Sequence, residues 1–238
     1  MTSLNEIIKN NFEQVSEQVF DAAQKSGRNG AEVKLIAVSK RQPVEKIQAY
    51  IQAGGRILGE NYPEEGASKR ATIADPSLEW HMIGHIQSRK VQIVAENYHW
   101  VHTLDSTRVA KRLNDALPAQ DIVLPVLVEI NIAVEETKSG FVYSNRANGE
   151  FWEGLEFIQT LSHLKLCGIM VMPPLTTQPE EARLFFRRAR GILEKVNQRY
   201  PNLKLDQLSM GTSQDYPYAI AEGATMVRVG TAIFGSRS

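Results

Sequence analysis

The chain has 238 residues with 27 basic and 27 acidic side chains, so no net charge attracts it to nucleic acid or to an anionic membrane. Its single cysteine, Cys167, excludes an intramolecular disulfide and a zinc site built from cysteines. No apolar run approaches the roughly 18 residues of a spanning helix, and no secretory signal is visible, so we expect a soluble, cytoplasmic protein.

The first predicted element is an amphipathic helix. Ser3 is placed to cap its start and Gly27 to end it. Its apolar residues recur at helical spacing, at Leu4, Ile7, Ile8, Phe12, Val15, Val19 and Phe20. We predict that residues 1–27 form this helix and that it packs on a barrel formed by residues 28–238.

Short apolar runs then alternate with helical patterns. The predicted strands cover residues 33–39, 56–58, 80–83, 100–104, 124–130, 165–170, 207–210 and 226–229. The clearest helical patterns between them cover residues 43–53, 107–117, 151–161 and 179–200. A strand followed by a helix, repeated in this way, indicates parallel βα units.

Eight βα units fit the length that remains after the first helix. A (β/α)8 barrel typically contains about 250 residues and can be as small as about 200. We therefore predict an α/β fold, a single (β/α)8 TIM barrel with an extra N-terminal helix. A doubly wound open sheet is the alternative.

Lys40 follows the apolar run of the first strand, where a barrel places its active site. One interpretation is a lysine that extends its ammonium group to solvent from a strand end. The other is an amine that is neutral often enough to attack an aldehyde and form an imine.

The loops after the last two predicted strands are rich in glycine and hydroxyl groups. The seventh predicted strand runs through Ser209 into a loop that contains Ser213, and Gly230 and Thr231 belong to the loop after the eighth. Barrels often bind phosphate at these two loops, where backbone N–H groups approach the anion. The loops therefore predict a phosphate site, although neither contains a dinucleotide-binding fingerprint.

Arg228 interrupts the apolar run of the eighth strand. By alternation it shares a face with Met226 and Gly230. A guanidinium buried in the barrel needs an acceptor, which is either an acidic neighbour or a ligand atom. Asn61, after the second strand, is placed either to orient a ligand or to cap the helix that Pro63 opens.

We predict no metal site. His81 and His85 are four residues apart, the spacing of a helical metal pair, but His81 lies in a predicted strand. Four strand residues span roughly 13 Å, which is too far for two side chains to share an ion. A lysine, a phosphate site and an inward arginine in one barrel point instead to pyridoxal 5′-phosphate (PLP).

Motifs along nearly the whole chain resemble the YggS/PLPBP family, the pyridoxal phosphate homeostasis proteins. They include Ala37-Val38-Ser39-Lys40, Gly59-Glu60-Asn61-Tyr62, Trp80-His81-Met82-Ile83-Gly84-His85, Lys138-Ser139-Gly140, Leu208-Ser209-Met210-Gly211 and Arg228-Val229-Gly230-Thr231. The resemblance implies a barrel like the N-terminal domain of alanine racemase, of fold-type III.

The resemblance also implies a role for each candidate residue. Lys40 would hold PLP, the vitamin B6 cofactor, as an internal aldimine, which is a Schiff base. Arg228 would face the pyridine nitrogen, and Asn61 would lie beside the ring. The phosphate would be received by four residues: Ser209, Ser213, Gly230 and Thr231.

We expect a protein that buffers or delivers PLP without strong catalysis, so no residue is assigned as catalytic. The sequence ends soon after the eighth strand, and we expect no second domain that would supply an acid or base. An arginine at the ring nitrogen also weakens the cofactor as an electron sink. A monomer is expected, with PLP-dependent apoenzymes as candidate partners. The alternatives are a fold-type III amino-acid racemase and a phosphate-binding barrel that uses Lys40 in aldolase or isomerase chemistry.

Overall fold

The computed structural model describes residues 2–117, 122–135, 138–144, 149–174 and 178–236. Eight strands lie close to their predicted positions. They are β1 (Lys34–Val38), β2 (Ile57–Glu60), β3 (Glu79–Met82), β4 (Trp100–Leu104), β5 (Leu124–Ile130), β6 (Leu164–Val171), β7 (Gln207–Thr212) and β8 (Met226–Val229).

The eight strands are parallel and close into a barrel in chain order. Closure is complete because β1 pairs with β2 on one side and with β8 on the other. In the β1–β8 pair, Ile36 lies opposite Arg228. An open sheet would leave β1 and β8 unpaired with each other, so the (β/α)8 barrel is confirmed and the open-sheet alternative is excluded.

The helices surround the barrel. They are α1 (Leu4–Lys25), α2 (Val44–Gln52), α3 (Pro63–Ile73), α4 (Val91–Asn97), α5 (Thr107–Ala116), α6 (Glu150–Gln159), α7 (Arg183–Arg199), α8 (Tyr216–Ala221) and α9 (Thr231–Phe234). Ser3 caps α1 as predicted, in a reciprocal capping box with Glu6. The helix predicted over 179–200 begins as a 3₁₀ turn, Pro179–Ala182, before α7. Among the described residues, no helix combines the length and apolar character needed to cross a membrane.

The barrel interior contains an apolar group and a polar group of buried side chains. The apolar group comprises Ile36, Leu127, Met170 and Met226. The polar group comprises His81, His102, Ser209 and Arg228. Met226 and Arg228 share the inner face of β8, as alternation predicts.

Helix α1 packs against α2, α8 and α9 on the outside of the barrel. Its buried face consists of Ile8, Val15, Val19 and Ala23. Asn11 adds a hydrogen bond of 3.0 Å from its side-chain amide to the carbonyl oxygen of Ile233 in α9. Helix α1 therefore packs on the single turn of α9 and on the helices α8 and α2. The division of the chain between residues 27 and 28 stays a prediction, since both parts contribute to one hydrophobic core.

A cluster of basic residues on α7 surrounds one buried carboxylate. Glu222 is 2% exposed and lies 2.6 Å from Arg183 Nε and 3.0 Å from Arg187 Nη2. Arg190 lies 3.7 Å from the second carboxylate oxygen. Burial alone raises the pKa of Glu222, but the hydrogen bonds and charges of Arg187 and Arg183 outweigh it and hold that pKa below its usual value. These arginines therefore join α7 to the end of α8.

We expect Glu222→Gln to lower the free energy of unfolding by about 1–3 kcal/mol at neutral pH, because the variant removes a buried charged acceptor that three arginines share. A carboxyl whose pKa is lowered by folding stabilises the protein above its unfolded pKa and loses that effect as pH falls through its folded pKa. The difference in the free energy of unfolding between Glu222→Gln and wild type should therefore become smaller in acid. Urea unfolding at several pH values measures this difference. Glu194→Gln, which removes an exposed partner of Arg190, is the matched control, and equal effects of the two variants would contradict this role of Glu222.

Candidate functional site

A cavity of about 680 Å³ opens at the carboxyl ends of the strands. Six of the seven predicted site residues line it, namely Lys40, Asn61, Ser213, Arg228, Gly230 and Thr231. They come from the ends of β1, β2, β7 and β8 and from the loops that follow. The structure therefore brings together an amine, an amide, a guanidinium and two loops with hydroxyl groups.

Lys40 lies in a tight turn directly after β1. The strand pairing extends to Ser39, whose N–H donates to the carbonyl oxygen of Gly59 at 3.0 Å. Arg41 then adopts a left-handed conformation with φ of 56°, which is uncommon for a residue other than glycine. Lys40 is half-buried between these two positions. The turn thus fixes the backbone from which the Lys40 amine enters the cavity.

A buried ion pair lies behind this turn. Lys69 Nζ lies 2.8 Å from Glu60 Oε1, 2.6 Å from Glu65 Oε1 and 2.7 Å from the carbonyl oxygen of Ser39. The Ser39 hydroxyl donates to Glu60 Oε1 at 2.7 Å. Burial raises the pKa of Glu60, and the charge and hydrogen bond of Lys69 oppose that rise. Glu60 belongs to one of the sequence motifs, but no role was predicted for it. Lys69 was not predicted, because helical periodicity does not identify a lysine whose side chain is buried.

The loops after β7 and β8 meet at one side of the cavity. Gly230 donates its N–H to the Ser213 hydroxyl oxygen at 3.2 Å. A side chain at Gly230 would lie 3.2 Å from the carbonyl oxygen of Val38, so β1 and the last loop approach closely at this glycine. Thr231 opens the single turn of α9, in which the first intrahelical bond is donated by Ile233 to Gly230. Ser213, Gly230 and Thr231 together form what we call the anion cradle.

Arg228 is 4% exposed and forms the floor of the cavity. Its Nη1 donates to Ser209 Oγ at 2.5 Å, and its Nη2 donates to the carbonyl oxygen of Val171 at 3.0 Å. Burial lowers its pKa to about 10, against the opposing charges of Glu129 and Asp215. Within the described part of the chain, no carboxylate lies within ion-pair distance of Arg228. The local hydrogen bonds leave this cation facing the cavity.

Ser209 is the one predicted site residue that does not line the cavity. It is fully buried in β7, beneath Arg228, and its hydroxyl also lies 2.9 Å from His102 Nδ1. The structure therefore separates Ser209 from Ser213 and the rest of the anion cradle. The two serines were grouped because both lie in the glycine- and hydroxyl-rich run at the end of the seventh strand and because the resemblance assigns both to the phosphate. The structure places Ser209 inside the barrel and Ser213 in the loop above it.

Asn61 lies at the rim of the cavity after β2. Its side-chain oxygen Oδ1 is buried and has no hydrogen-bond partner among the described residues. The residue that caps α3 is Tyr62, and no side chain forms the cap. Asn61 thus offers the cavity a polar atom that the protein itself does not satisfy, which is expected of a ligand contact.

The two histidines considered for a metal site lie apart. His81 is inside the barrel, while His85 is half-exposed and bonded to Asp105 Oδ2 at 2.7 Å. Where the chain is described, no group of three metal-ligating side chains comes together.

The residues present fit PLP. Lys40 would supply an amine for the aldehyde, the anion cradle would supply hydroxyl and N–H groups for the phosphate, and Arg228 would supply a donor for the ring nitrogen. Asn61 lines the same cavity, and the cavity is large enough for a pyridine ring with a phosphate.

The fold and the site define the class as a (β/α)8 barrel with a lysine after the first strand and an anion cradle after the last two. The family described as alanine racemase, N-terminal domain, matches residues 8–238. The chain belongs to this family, within the group of pyridoxal phosphate homeostasis proteins, which confirms the resemblance.

Two relatives of that description support the assignment. One from Vibrio alginolyticus is 42% identical over 97% of each chain. One from Haemophilus influenzae is 40% identical over 97% of this chain and 96% of its own. The solved structure of PipY from Synechococcus elongatus PCC7942 with PLP bound has a TM-score of 0.79 and 33% identity, and the match covers 93% of this chain and 100% of that one.

Proposed function

We propose that this protein binds PLP through Lys40 and acts in intracellular PLP homeostasis, by holding the cofactor and delivering it. The observation that carries the proposal is one cavity that contains the Lys40 amine, the Arg228 guanidinium and the anion cradle. Each of these groups matches a different part of PLP. The relatives named pyridoxal phosphate homeostasis proteins and the PLP-bound PipY support the same function.

Lys40 provides the covalent part of the binding. Lys40 would hold the cofactor through its Nζ, since a neutral amine condenses with an aldehyde and the aldehyde oxygen leaves as water. Such a bond is broken by water or exchanged with another amine, so the cofactor would be held firmly yet could be released. This reversibility suits a carrier.

The anion cradle provides the phosphate affinity. Phosphate carries a charge of about −1.5 to −2 near neutral pH, and its binding here depends on hydroxyl and backbone N–H donors. We expect Thr231→Val to weaken PLP binding by about 1–3 kcal/mol, because the variant removes a hydroxyl donor to a charged group. Fluorescence titration with PLP measures the change.

Two controls belong with this titration. Thr72→Val removes an exposed hydroxyl on α3, away from the cavity, and should leave PLP affinity unchanged. Pyridoxal, which lacks the phosphate, should bind far more weakly than PLP. Equal affinity for the two compounds would show that the anion cradle does not bind the phosphate.

Arg228 bears on whether the protein is an enzyme. When bound, PLP can stabilise a carbanion, but this requires a protonated ring nitrogen to act as a strong electron sink. An arginine donates a hydrogen bond to that nitrogen and keeps it unprotonated. The site thus favours retention of the cofactor over turnover of amino acids.

We expect no racemisation of alanine or serine above the rate of free PLP. Amino acids reach the cavity and exchange with Lys40, but proton removal from their α-carbon stays slow because the ring nitrogen faces Arg228. Chiral chromatography after long incubation measures the products, with Lys40→Ala as the control. Sustained conversion that depends on Lys40 would instead support the fold-type III racemase.

We further propose that the protein is a cytoplasmic monomer and that PLP-dependent apoenzymes receive the cofactor from it. The cavity opens at the barrel mouth, where half-exposed apolar side chains such as Tyr62 and Met172 lie. Transfer is tested by adding the PLP-loaded protein to an apoenzyme and comparing reactivation with that by an equal concentration of free PLP.

A further inference from the structure

A continuous row of polar side chains runs through the barrel beneath the cavity. Arg228 Nη1 lies 2.5 Å from Ser209 Oγ, which lies 2.9 Å from His102 Nδ1. His102 Nε2 lies 2.8 Å from His81 Nδ1, and His81 Nε2 lies 2.8 Å from Glu79 Oε1. We call these five residues the interior relay. It extends from the carboxyl end of β8 to the first residue of β3, on the opposite side of the barrel.

The two ends of the interior relay determine the direction of every hydrogen bond in it. A guanidinium only donates, and an ionised carboxylate only accepts. His81 Nε2–H therefore donates to Glu79, which leaves His81 Nδ1 to accept from His102 Nε2–H. His102 Nδ1 then accepts the hydroxyl proton of Ser209, whose oxygen accepts from Arg228. Both imidazoles then carry their proton on Nε2. With this one order of donors and acceptors, each of the four hydrogen bonds of the relay has one donor and one acceptor.

The charges around the relay support this order. A hydrogen bond from His81 holds the pKa of Glu79 at about 2, although burial opposes it, so Glu79 is ionised. Lys34 Nζ on β1 lies 3.5 Å from Glu79 Oε1, so an ion pair stands at this end of the relay. Burial lowers the pKa of both histidines. At His81 the hydrogen bond and charge of Glu79 oppose this fall, while Lys34 and His99 add to it; at His102 the charges of His81, Arg228 and Lys34 add to it. Neutral imidazoles at His81 and His102 fit the hydrogen-bond order given by the geometry.

Packing restricts the relay to one geometry. His81 and His102 are 0% exposed. The Trp100 ring stacks on His81 with centroids 5.8 Å apart, and His102 meets the same ring edge-on at 6.4 Å. Since neither imidazole can rotate without breaking these contacts, the relay can hold Arg228 to a fixed position.

We propose that Ser209, His102, His81 and Glu79 are positioning residues that orient the Arg228 guanidinium towards the ring nitrogen of the cofactor. The inference rests on the proposed function, because it requires PLP in the cavity. One N–H of Nη1 and one of Nη2 are used below the cavity, which leaves the other N–H groups of the same plane for a ligand. A change at Glu79, at the far end of the barrel, is therefore transmitted to the cofactor.

The first test needs no cofactor. Nitrogen-15 spectra of the histidine side chains of the PLP-free protein should show both buried imidazoles neutral and protonated on Nε2 between about pH 6 and pH 8. Glu79→Leu removes the terminal acceptor of the relay. The proton of His102 should then be shared between Nε2 and Nδ1, although His102 itself is unchanged. A wild-type imidazole that titrates in this range, or that carries its proton on Nδ1, would overturn the relay.

The second test measures the effect on the cofactor. Ser209→Ala removes one hydroxyl and should weaken PLP binding about tenfold, the usual effect of one hydrogen bond to a charged group. It should also shift the visible absorbance maximum of the Lys40 imine, since Arg228 is no longer held. Glu79→Gln should shift the same maximum in the same direction while it leaves the fold intact, because its side chain is partly exposed.

Leu127→Ala is the matched control, because it removes packing from the apolar group in the barrel interior without removing a relay hydrogen bond or replacing Trp100. It should lower thermal stability but leave the absorbance maximum in place. If Ser209→Ala and Glu79→Gln bind PLP with unchanged affinity and spectrum, the positioning role is refuted while the proposed function stands. If wild-type protein does not bind PLP, the proposed function fails, and the spectra of the PLP-free protein still decide whether the relay exists.

Discussion

Replacing Lys40 by alanine will abolish covalent attachment of PLP and leave the barrel folded. Reduction of the wild-type complex with borohydride should fix a pyridoxyl group on the peptide that contains Lys40, and the variant should carry none. The free energy of unfolding should change by less than about 1 kcal/mol, because Lys40 lies in a half-buried turn outside the apolar core. Peptide mass mapping and urea unfolding measure the two results.

Two further variants show which property of Lys40 matters. Lys40→Arg keeps the positive charge but cannot form the imine, so it should lose the label as completely as Lys40→Ala. Lys111→Ala removes an exposed lysine that pairs with Asp115 and should keep full labelling. A pyridoxyl group found mainly on Lys34, Lys46 or Lys90 would show that the amine has been assigned to the wrong residue.

Replacing Gly84 by alanine will destabilise the protein and weaken PLP binding together. Gly84 is buried after β3, and a Cβ there would collide with the backbone of Asn61, most severely with its carbonyl oxygen. The glycine cannot move away easily, because its own carbonyl accepts the buried Thr103 hydroxyl at 2.6 Å. We expect a loss of about 1–3 kcal/mol or more in the free energy of unfolding. Displacement of Asn61 should lower PLP affinity as well.

Gly191→Ala is the matched control for this substitution. Gly191 lies within α7, and a Cβ there would meet no other atom within 4 Å. The variant should gain up to about 1 kcal/mol, since alanine favours a helix more than glycine does. Thermal unfolding and PLP titration of the two variants should therefore give opposite changes in stability, with PLP affinity lowered only by Gly84→Ala. Normal PLP binding by a destabilised Gly84→Ala would mean that Asn61 does not contact the cofactor.

Much of the fold could be predicted because each strand and helix is marked locally. The β8 run was predicted with its observed bounds. Alternation placed Arg228 on the face opposite Val227 and Val229, which points into the barrel if the valines pack on the helices. The cavity residues could be predicted for the same reason. In a barrel the carboxyl ends of all strands meet, so Lys40, Asn61 and Thr231 become neighbours whatever the details of their loops.

Other features could not be predicted because they depend on how distant strands align. His81 and His102 contact each other only because β3 pairs with β4 in one particular register, with His81 opposite Trp100. Ser209 was assigned to the phosphate site because a sequence does not show how deep in the barrel a strand residue lies. Glu222 gave no signal, since a single acidic residue after a short helix is usually exposed.

The position of α1 also has a consequence for how the protein is made. Helix α1 is synthesised well before α8 and α9, the helices on which it rests. The second edge of strand β1 likewise stays unpaired until β8 has been synthesised. The part of the apolar face of α1 that packs on α8 and α9 therefore stays uncovered until those helices have been made, and the barrel closes only after β8 has been made. Such sequence-distant pairing slows folding and prolongs the time in which a nascent chain can aggregate or bind a chaperone.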